Sequence, residues 1–137
     1  MLIPVQTFVE TQGPEILSSR DEKGYLPAHW ACLGGQTTML RYFIECKGPI
    51  DDPGENELAQ RPIHWACVNG HVAIVDILLQ AGVNIDVVDS KGCTPLIVAC
   101  QYGKTVLAGY LLGKGARREC IDKDGDTALH WSAFKGV

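Results

Sequence analysis

The chain has 137 residues, of which 46 % are hydrophobic and 20 % are charged. This composition excludes an intrinsically disordered chain, and the length allows one globular domain or a short array of repeats. The net charge of −4 has the wrong sign for a nucleic-acid-binding protein or a polybasic membrane anchor.

The sequence contains no apolar run of the roughly 18–20 residues that cross a bilayer. The first residues, Met1-Leu2-Ile3-Pro4, lack the basic region that begins a signal peptide. We therefore expect a soluble, cytoplasmic chain with no direct membrane contact from these residues.

Four segments of the chain repeat with a spacing of 35, 33 and 33 residues. Each has an acidic residue or Asn three residues before a turn position, followed by a short apolar run. The acidic or Asn residues are Asp21, Asn56, Asp89 and Asp122. The apolar runs carry His29, His64, Ile97 and His130 at their shared position. Four copies in register predict stacked units, because no single unit of this size can bury its apolar side alone.

Within each unit the pattern predicts two short helices. Proline suits the first turn of the first helix, and Thr94 and Thr127 can cap that helix in their units. Gly70 and Gly103 permit the turn between the helices. The second helices carry apolar stripes at i, i+1, i+4 and i+5, such as Ile74, Val75, Leu78 and Leu79, and a glycine then ends each helix. In the first unit that glycine, Gly48, comes one residue late.

These residues resemble the ankyrin repeat, whose pattern is an acidic-x-x-Gly turn, Thr-Pro-Leu-His-x-Ala, Gly-His and a Leu-Leu pair. The resemblance implies an all-α solenoid of helix-turn-helix units with hairpin-like turns and incomplete repeats at both ends. Residues 1–20 are interpreted as the second-helix remnant of a preceding repeat, because Val5, Phe8 and Val9 resemble its apolar pattern. The array then covers 21–137, with repeats at about 21–55, 56–88 and 89–121 and a partial repeat at 122–137.

The histidines and cysteines of the repeats are interpreted as structural. The resemblance implies that the repeated histidine hydrogen-bonds across the turn, and His71 at the Gly-His position is interpreted in the same way. Cys32, Cys67 and Cys100 share one repeat position, where a small buried residue suffices, although disulfides or a zinc site remain the alternative for the six cysteines.

Two short motifs imitate ligand-binding loops. Gly103-Lys104-Thr105 lacks the glycine that a phosphate-binding loop needs five residues earlier, and Asp122, Asp124 and Asp126 lack the Gly and the Glu of a calcium loop. We therefore expect no catalytic residue, no metal site and no cofactor in these residues.

A narrower resemblance comes from the tryptophans that follow the repeated histidine, in His-Trp-Ala, His-Trp-Ala and His-Trp-Ser. Together with Ala99-Cys100-Gln101-Tyr102-Gly103 they are similar to the amino-terminal ankyrin domain of DHHC-type palmitoyltransferases. That family implies recruitment of substrates through short extended peptides ending in Gln-Pro, gripped at the Trp131 and Gln101 positions. A core role for Trp131 remains open, and Trp30 and Trp65 are interpreted as core residues.

We therefore predict a noncatalytic module that binds other proteins or short extended peptides, which contain Gln-Pro under the narrower resemblance. The parent could then be a palmitoyltransferase at the cytosolic face of a membrane. The alternative is a general scaffold or regulatory arm of a channel, kinase or cytoskeletal linker. We expect a monomer, with self-association through its uncapped ends as a further option. The predicted binding residues lie on the hairpin tips and first helices of the array: Trp131, Gln101, Tyr102, Tyr25, Phe134, Asn69, Lys91 and Asp126.

Overall fold

The computed structural model describes the backbone of residues 17–135 and the side chains of residues 17–131. The described part consists of seven α-helices and contains no strand, which confirms the all-α repeat fold. The predicted remnant of a preceding repeat lies almost entirely outside it. The helices are α1 (Pro27–Leu33), α2 (Thr37–Glu45), α3 (Pro62–Val68), α4 (Val72–Gln80), α5 (Pro95–Gln101), α6 (Thr105–Gly113) and α7 (Ala128–Lys135).

The helices form two layers. The first helices of successive repeats pack on one another in the order α1, α3, α5, α7, and the second helices pack in the order α2, α4, α6. In each of the first three repeats the first helix also packs on the second helix of its own repeat, as in α3 with α4. No described helix is long and apolar enough to cross a membrane.

The starts of the first helices follow from the repeated Pro and His residues. Pro27, Pro62 and Pro95 occupy the first helical position, where the missing N–H needs no partner. The Thr94 hydroxyl accepts the Ile97 N–H at 3.2 Å, as the sequence predicts for a capping residue. At the start of α3 the ring of His64 also caps a backbone N–H group, because its Nδ1 accepts the N–H of Arg61 at 3.0 Å.

The apolar stripes of the second helices form the centre of the core. Leu40, Ile74, Leu78, Leu107 and Leu111 are at most 1 % exposed, which confirms these positions of the predicted stripe. At the i+5 position Leu79 is only partly buried and Leu112 is 38 % exposed. The buried side chains of the stripe pack with buried residues of the first helices, such as Ile63 and Leu96, in one apolar core, whose burial stabilises the fold.

The cysteines at the shared repeat position lie inside this core. Cys32, Cys67 and Cys100 are buried and are not joined in disulfides. Burial raises the pKa of the Cys32 thiol to about 12 and raises the pKa of Cys67 as well. Both thiols are therefore neutral at physiological pH, and they pack as small apolar side chains.

Two turn positions differ from their equivalents in the other repeats. Gly70 and Gly103 have φ values of +71° and +67°, as predicted for the turn between helices. After α2, however, the left-handed position is taken by Lys47, with φ +59°, and not by the predicted Gly48. Ala59 has φ +50° where the other repeats carry glycine. Both residues therefore adopt a backbone conformation that is unfavourable for residues other than glycine.

Replacing Ala59 by glycine should raise the free energy of unfolding by about 0.5–1 kcal/mol. The left-handed backbone costs alanine roughly 1–2 kcal/mol, and the greater freedom of glycine in the unfolded chain offsets part of that gain. Urea unfolding of the wild type and of Ala59→Gly measures the difference. Ala108→Gly, inside α6, is the matched control and should lower stability by about 0.5–1 kcal/mol. A loss of stability in Ala59→Gly would contradict the assignment of strain to this turn.

The fourth repeat exposes a side chain that the other repeats bury. Leu129 in α7 is 77 % exposed, whereas its equivalents Ala28, Ile63 and Leu96 are at most 1 % exposed. In the first three repeats a second helix packs on the helix that carries the equivalent residue. Among the described residues no second helix accompanies α7, so Leu129 faces solvent.

Candidate protein-binding site

A groove of about 490 Å³ lies between the third and fourth repeats. It is bounded by the turns before α5 and α7, by the end of α5 and by one side of α7. Four of the residues predicted from the sequence line it together, namely Lys91, Gln101, Tyr102 and Trp131, and Cys93, Asp122 and Asp124 complete its wall.

The indole of Trp131 has a fixed orientation in this groove. Its Nε1–H donates to Oδ2 of Asp122 at 3.1 Å, while Oδ1 of Asp122 accepts the backbone N–H groups of Asp124 and Asp126, each at 2.9 Å. Partial burial acts to raise the pKa of Asp122, but these hydrogen bonds outweigh it and lower the pKa. The carboxylate is therefore ionised at neutral pH and holds the ring as a charged acceptor.

Gln101 presents a side-chain amide to the same groove. Its Nε2 donates to the sulfur of Cys93 at 3.4 Å, and sulfur is a weak acceptor. Burial raises the pKa of the Cys93 thiol to about 11, so this cysteine is a neutral wall residue and a poor nucleophile. Gln101 can exchange this weak contact for a stronger one to a peptide backbone.

The comparisons with known proteins agree with this architecture. A family model for ankyrin repeats (three copies) matches residues 5–89 and 63–137.

The chain belongs to the ankyrin-repeat family. It is 40 % identical over 61 residues to the phosphocholine transferase AnkX of Legionella pneumophila. This match covers 44 % of this chain and 6 % of AnkX. It is 40 % identical over 52 residues to human protein phosphatase 1 regulatory subunit 27, covering 38 % of this chain and 34 % of the subunit. It is 41 % identical over 59 residues to the ankyrin repeat and LEM domain-containing protein 1 homolog of Caenorhabditis elegans. This match covers 43 % of this chain and 8 % of that protein. These matches span about a third or less of each relative.

Ankyrin-repeat arrays are protein–protein interaction modules, and domains of this kind are typically noncatalytic. The histidines of this array fit that description. His29 and His64 are fully buried, and their Nε2 atoms bond the carbonyl oxygens of Gln60 at 2.8 Å and Cys93 at 2.9 Å in the next repeat. These bonds confirm that the two histidines tie neighbouring repeats together.

Three predicted binding residues lie away from the groove or outside the described side chains. Asn69 donates its amide to the carbonyl oxygen of Leu33 at 2.8 Å, so its side chain links the first two repeats. Tyr25 packs against Trp65 with ring centroids 4.3 Å apart. The side chain of Phe134 lies outside the described residues, although its backbone belongs to α7.

Asp126 is not among the residues that line the groove, and it belongs to the turn whose Asp122 carboxylate accepts the Trp131 indole N–H. It is half-buried, and its backbone carbonyl accepts the N–H of Asp122 at 2.9 Å. The role of Asp122 itself was missed by the sequence prediction of the site. The spacing of nine residues between Asp122 and Trp131 recurs between Asp21 and Trp30, and this repeated spacing is the signal that could have found it.

The interpretation of Trp30 as a core residue is wrong, while that of Trp65 is confirmed. Trp65 is 9 % exposed, but Trp30 is 49 % exposed. The Nε1–H of Trp30 donates to Oδ2 of Asp21 at 2.9 Å, which holds the ring at the surface beside the turn.

Among the residues with described side chains, no group of three or more His, Cys, Asp and Glu residues is placed to hold a metal ion. The Asp122 carboxylate, which begins the calcium-like sequence, is occupied by two backbone N–H groups and an indole.

Proposed function

We propose that this chain is a noncatalytic recognition module that captures a short extended segment of another protein in the groove between its third and fourth repeats. The observation that carries the proposal is the fixed indole of Trp131 beside the amide of Gln101 in one open groove. A ready-made aromatic surface lowers the entropic cost of capturing a flexible segment.

The chemistry of the groove suits a segment that contains proline, and the narrower resemblance to palmitoyltransferase ankyrin domains makes this a Gln-Pro segment. Trp131 lines the groove with its Nε1–H donated to Asp122, so it would contribute to binding by packing of its indole against a proline ring. The amide of Gln101 can pair with the peptide backbone beside that proline. A segment with proline is also partly preorganised in an extended conformation, which suits recognition by an aromatic groove.

The larger parent of such a module is proposed to be an ankyrin-containing DHHC palmitoyltransferase. The three His-Trp pairs and the Gln101-Tyr102 sequence support this proposal. In such a parent this chain would recruit substrate proteins at the cytosolic face of a membrane, and the acyl transfer would be performed outside these residues.

Replacing Trp131 by alanine should abolish the capture of Gln-Pro peptides. Loss of an aromatic anchor of this kind typically weakens binding by more than about 30-fold, which corresponds to about 2 kcal/mol. Isothermal titration of the full chain with a ten-residue peptide ending in Gln-Pro measures the affinity.

Trp30→Leu is the matched control, because Trp30 occupies the same repeat position and makes the same bond to its turn carboxylate. This variant should bind the Gln-Pro peptide as the wild type does. Circular dichroism checks that each variant is folded. Unchanged affinity in a folded Trp131→Ala protein would refute the groove as the peptide site.

A second candidate function is a regulatory arm that binds a folded domain. Tyr102 is 53 % exposed at the rim of the groove, and the match to a phosphatase regulatory subunit also favours this option. Binding of this kind would be lost in Tyr102→Ala and retained in Trp131→Ala, which is the opposite of the result expected for peptide capture.

A further inference from the structure

An aromatic surface separate from the groove lies on the first two repeats. It consists of Tyr25, Trp30 and Trp65, and we refer to it as the aromatic face. Trp30 is the exposed member, since about half of its side chain is in contact with solvent. An exposed tryptophan packed on other aromatic residues has the character of an interaction hot spot.

The rings of the aromatic face pack on one another. The Trp30 and Trp65 rings are perpendicular, with an interplanar angle of 87° and centroids 5.0 Å apart, and Tyr25 lies with its ring 6.4 Å from Trp30. The bond from Trp30 to Asp21 fixes the remaining freedom of the indole. Since that bond uses the only hydrogen-bond donor of the ring, what Trp30 offers to a partner is its π surface.

The surroundings of the aromatic face are acidic. The two segments 20–30 and 51–61 carry six acidic and three basic residues. They are joined by a hydrogen bond from the Glu55 N–H to the Gly24 carbonyl at 3.0 Å. Two of the three basic residues are already paired, Arg20 with Glu55 at 3.0 Å and Arg61 with Asp51 at 3.6 Å.

These segments carry exposed carboxylates outside the described ion pairs, among them Asp21, whose oxygens already accept hydrogen bonds. Glu22 and Glu57 are exposed, and neither forms an ion pair with any residue whose side chain is described. The backbone N–H of Tyr25 helps to lower the pKa of Asp21, although burial opposes this, so Asp21 is also ionised at neutral pH. A partner that covers Trp30 therefore meets excess negative charge.

We propose that the aromatic face docks a basic segment of a partner protein, with an arginine side chain lying on the Trp30 indole between the acidic turns. A cation above an indole face is attracted by the ring quadrupole, and tryptophan is the best of the aromatic residues for this contact. Arginine suits the surface better than lysine, because its flat guanidinium stacks on a ring while its N–H groups reach carboxylates at the rim.

An apolar partner fits this surface less well. It would cover the Asp21 carboxylate, which is bonded to Trp30, and would lie beside the acidic segments 20–30 and 51–61 without supplying any positive charge, which is unfavourable. The groove at Trp131 differs in part, because Lys91 and the amide of Gln101 line it together with the carboxylates of Asp122 and Asp124. Although Trp30 and Trp131 share a repeat position and a bonding pattern, they are therefore expected to recognise different side chains.

The test is an NMR titration of the full chain, labelled with ¹⁵N, in which the indole N–H signals of the three tryptophans are followed separately. The probe is a seven-residue Gly/Ser peptide with two arginines, and lysine and alanine versions of it are the comparisons. The arginine peptide should shift the Trp30 signal and leave the Trp131 signal in place. The lysine peptide should bind more weakly, the alanine peptide should produce no shift, and added salt should weaken the binding.

Trp30→Leu should weaken binding of the arginine peptide roughly five- to thirtyfold, while Trp131→Ala should leave it unchanged. Glu22→Gln combined with Glu57→Gln leaves the aromatic packing intact and should also weaken binding. The proposal is overturned if the arginine peptide does not bind or if the alanine peptide binds equally well. It is also overturned if the folded Trp30→Leu protein and the double glutamine variant both bind the arginine peptide as tightly as the wild type does. Because Trp131→Ala separates the two sites, either proposal can fail without the other.

Discussion

Replacing Leu78 by alanine is expected to lower the free energy of unfolding by about 2–5 kcal/mol. Leu78 is fully buried in α4, between the second helices of the first and third repeats. The truncated side chain leaves a cavity that neighbours on both sides would have to fill. In a stack of repeats that support only their neighbours, this loss at the middle weakens both halves of the array.

Leu129→Ala is the matched control, since the same atoms are removed from a side chain that is largely in solvent. We expect a change of less than about 0.5 kcal/mol there. Urea unfolding followed by circular dichroism measures both variants. Equal losses would mean that Leu129 is covered in solution, and a small loss at Leu78 would contradict the assignment of the second-helix stripe to the core.

The repeat fold was predictable from the sequence because each of its determinants acts within a few residues. Pro at the first helical position and the apolar stripes give the helices, and they recur in register. The conformation of Lys47 was not predictable in this way. The displacement of Gly48 shows that the first repeat is irregular, but which residue enters the left-handed region depends on how α2 meets the next turn.

The candidate site was only partly predictable. Trp131, Gln101 and two neighbours were expected on one surface, and the structure brings them into one groove. The different burial of Trp30 and Trp65 could not be read from the sequence, because both follow histidine in the same motif. It arises from the contact between the two rings, in which one tryptophan covers the other, and from the bond between Trp30 and Asp21.

Stability should depend on pH through the buried histidines. Burial is the largest influence on His64 and lowers its pKa below the ordinary value of 6.5, although the nearby Asp89 opposes this. Burial also lowers the pKa of His29. Because Nδ1 of each ring accepts a backbone N–H, protonation would also break a hydrogen bond that begins a helix.

The direction of the effect follows from proton uptake. Below pH 6.5 the unfolded chain binds protons on these histidines that the folded chain does not bind. The free energy of unfolding is therefore highest above pH 6.5 and falls as the pH decreases toward the lowered pKa of the folded state. Each histidine contributes a decrease of up to about 1.4 kcal/mol per pH unit in that range.

Replacing His64 by alanine is expected to lower the free energy of unfolding by about 2–5 kcal/mol at pH 7.5, because the Arg61 N–H and the Cys93 carbonyl both lose a partner. The difference from the wild type should narrow between pH 7.5 and pH 5, since acidification already weakens the wild type at this histidine. Urea unfolding at half-unit pH steps measures both proteins. Leu78→Ala, which keeps both histidines, should instead lie below the wild type by a constant amount across the range. If the His64→Ala curve also ran parallel to the wild type, the buried ring of His64 would not be the source of the pH dependence.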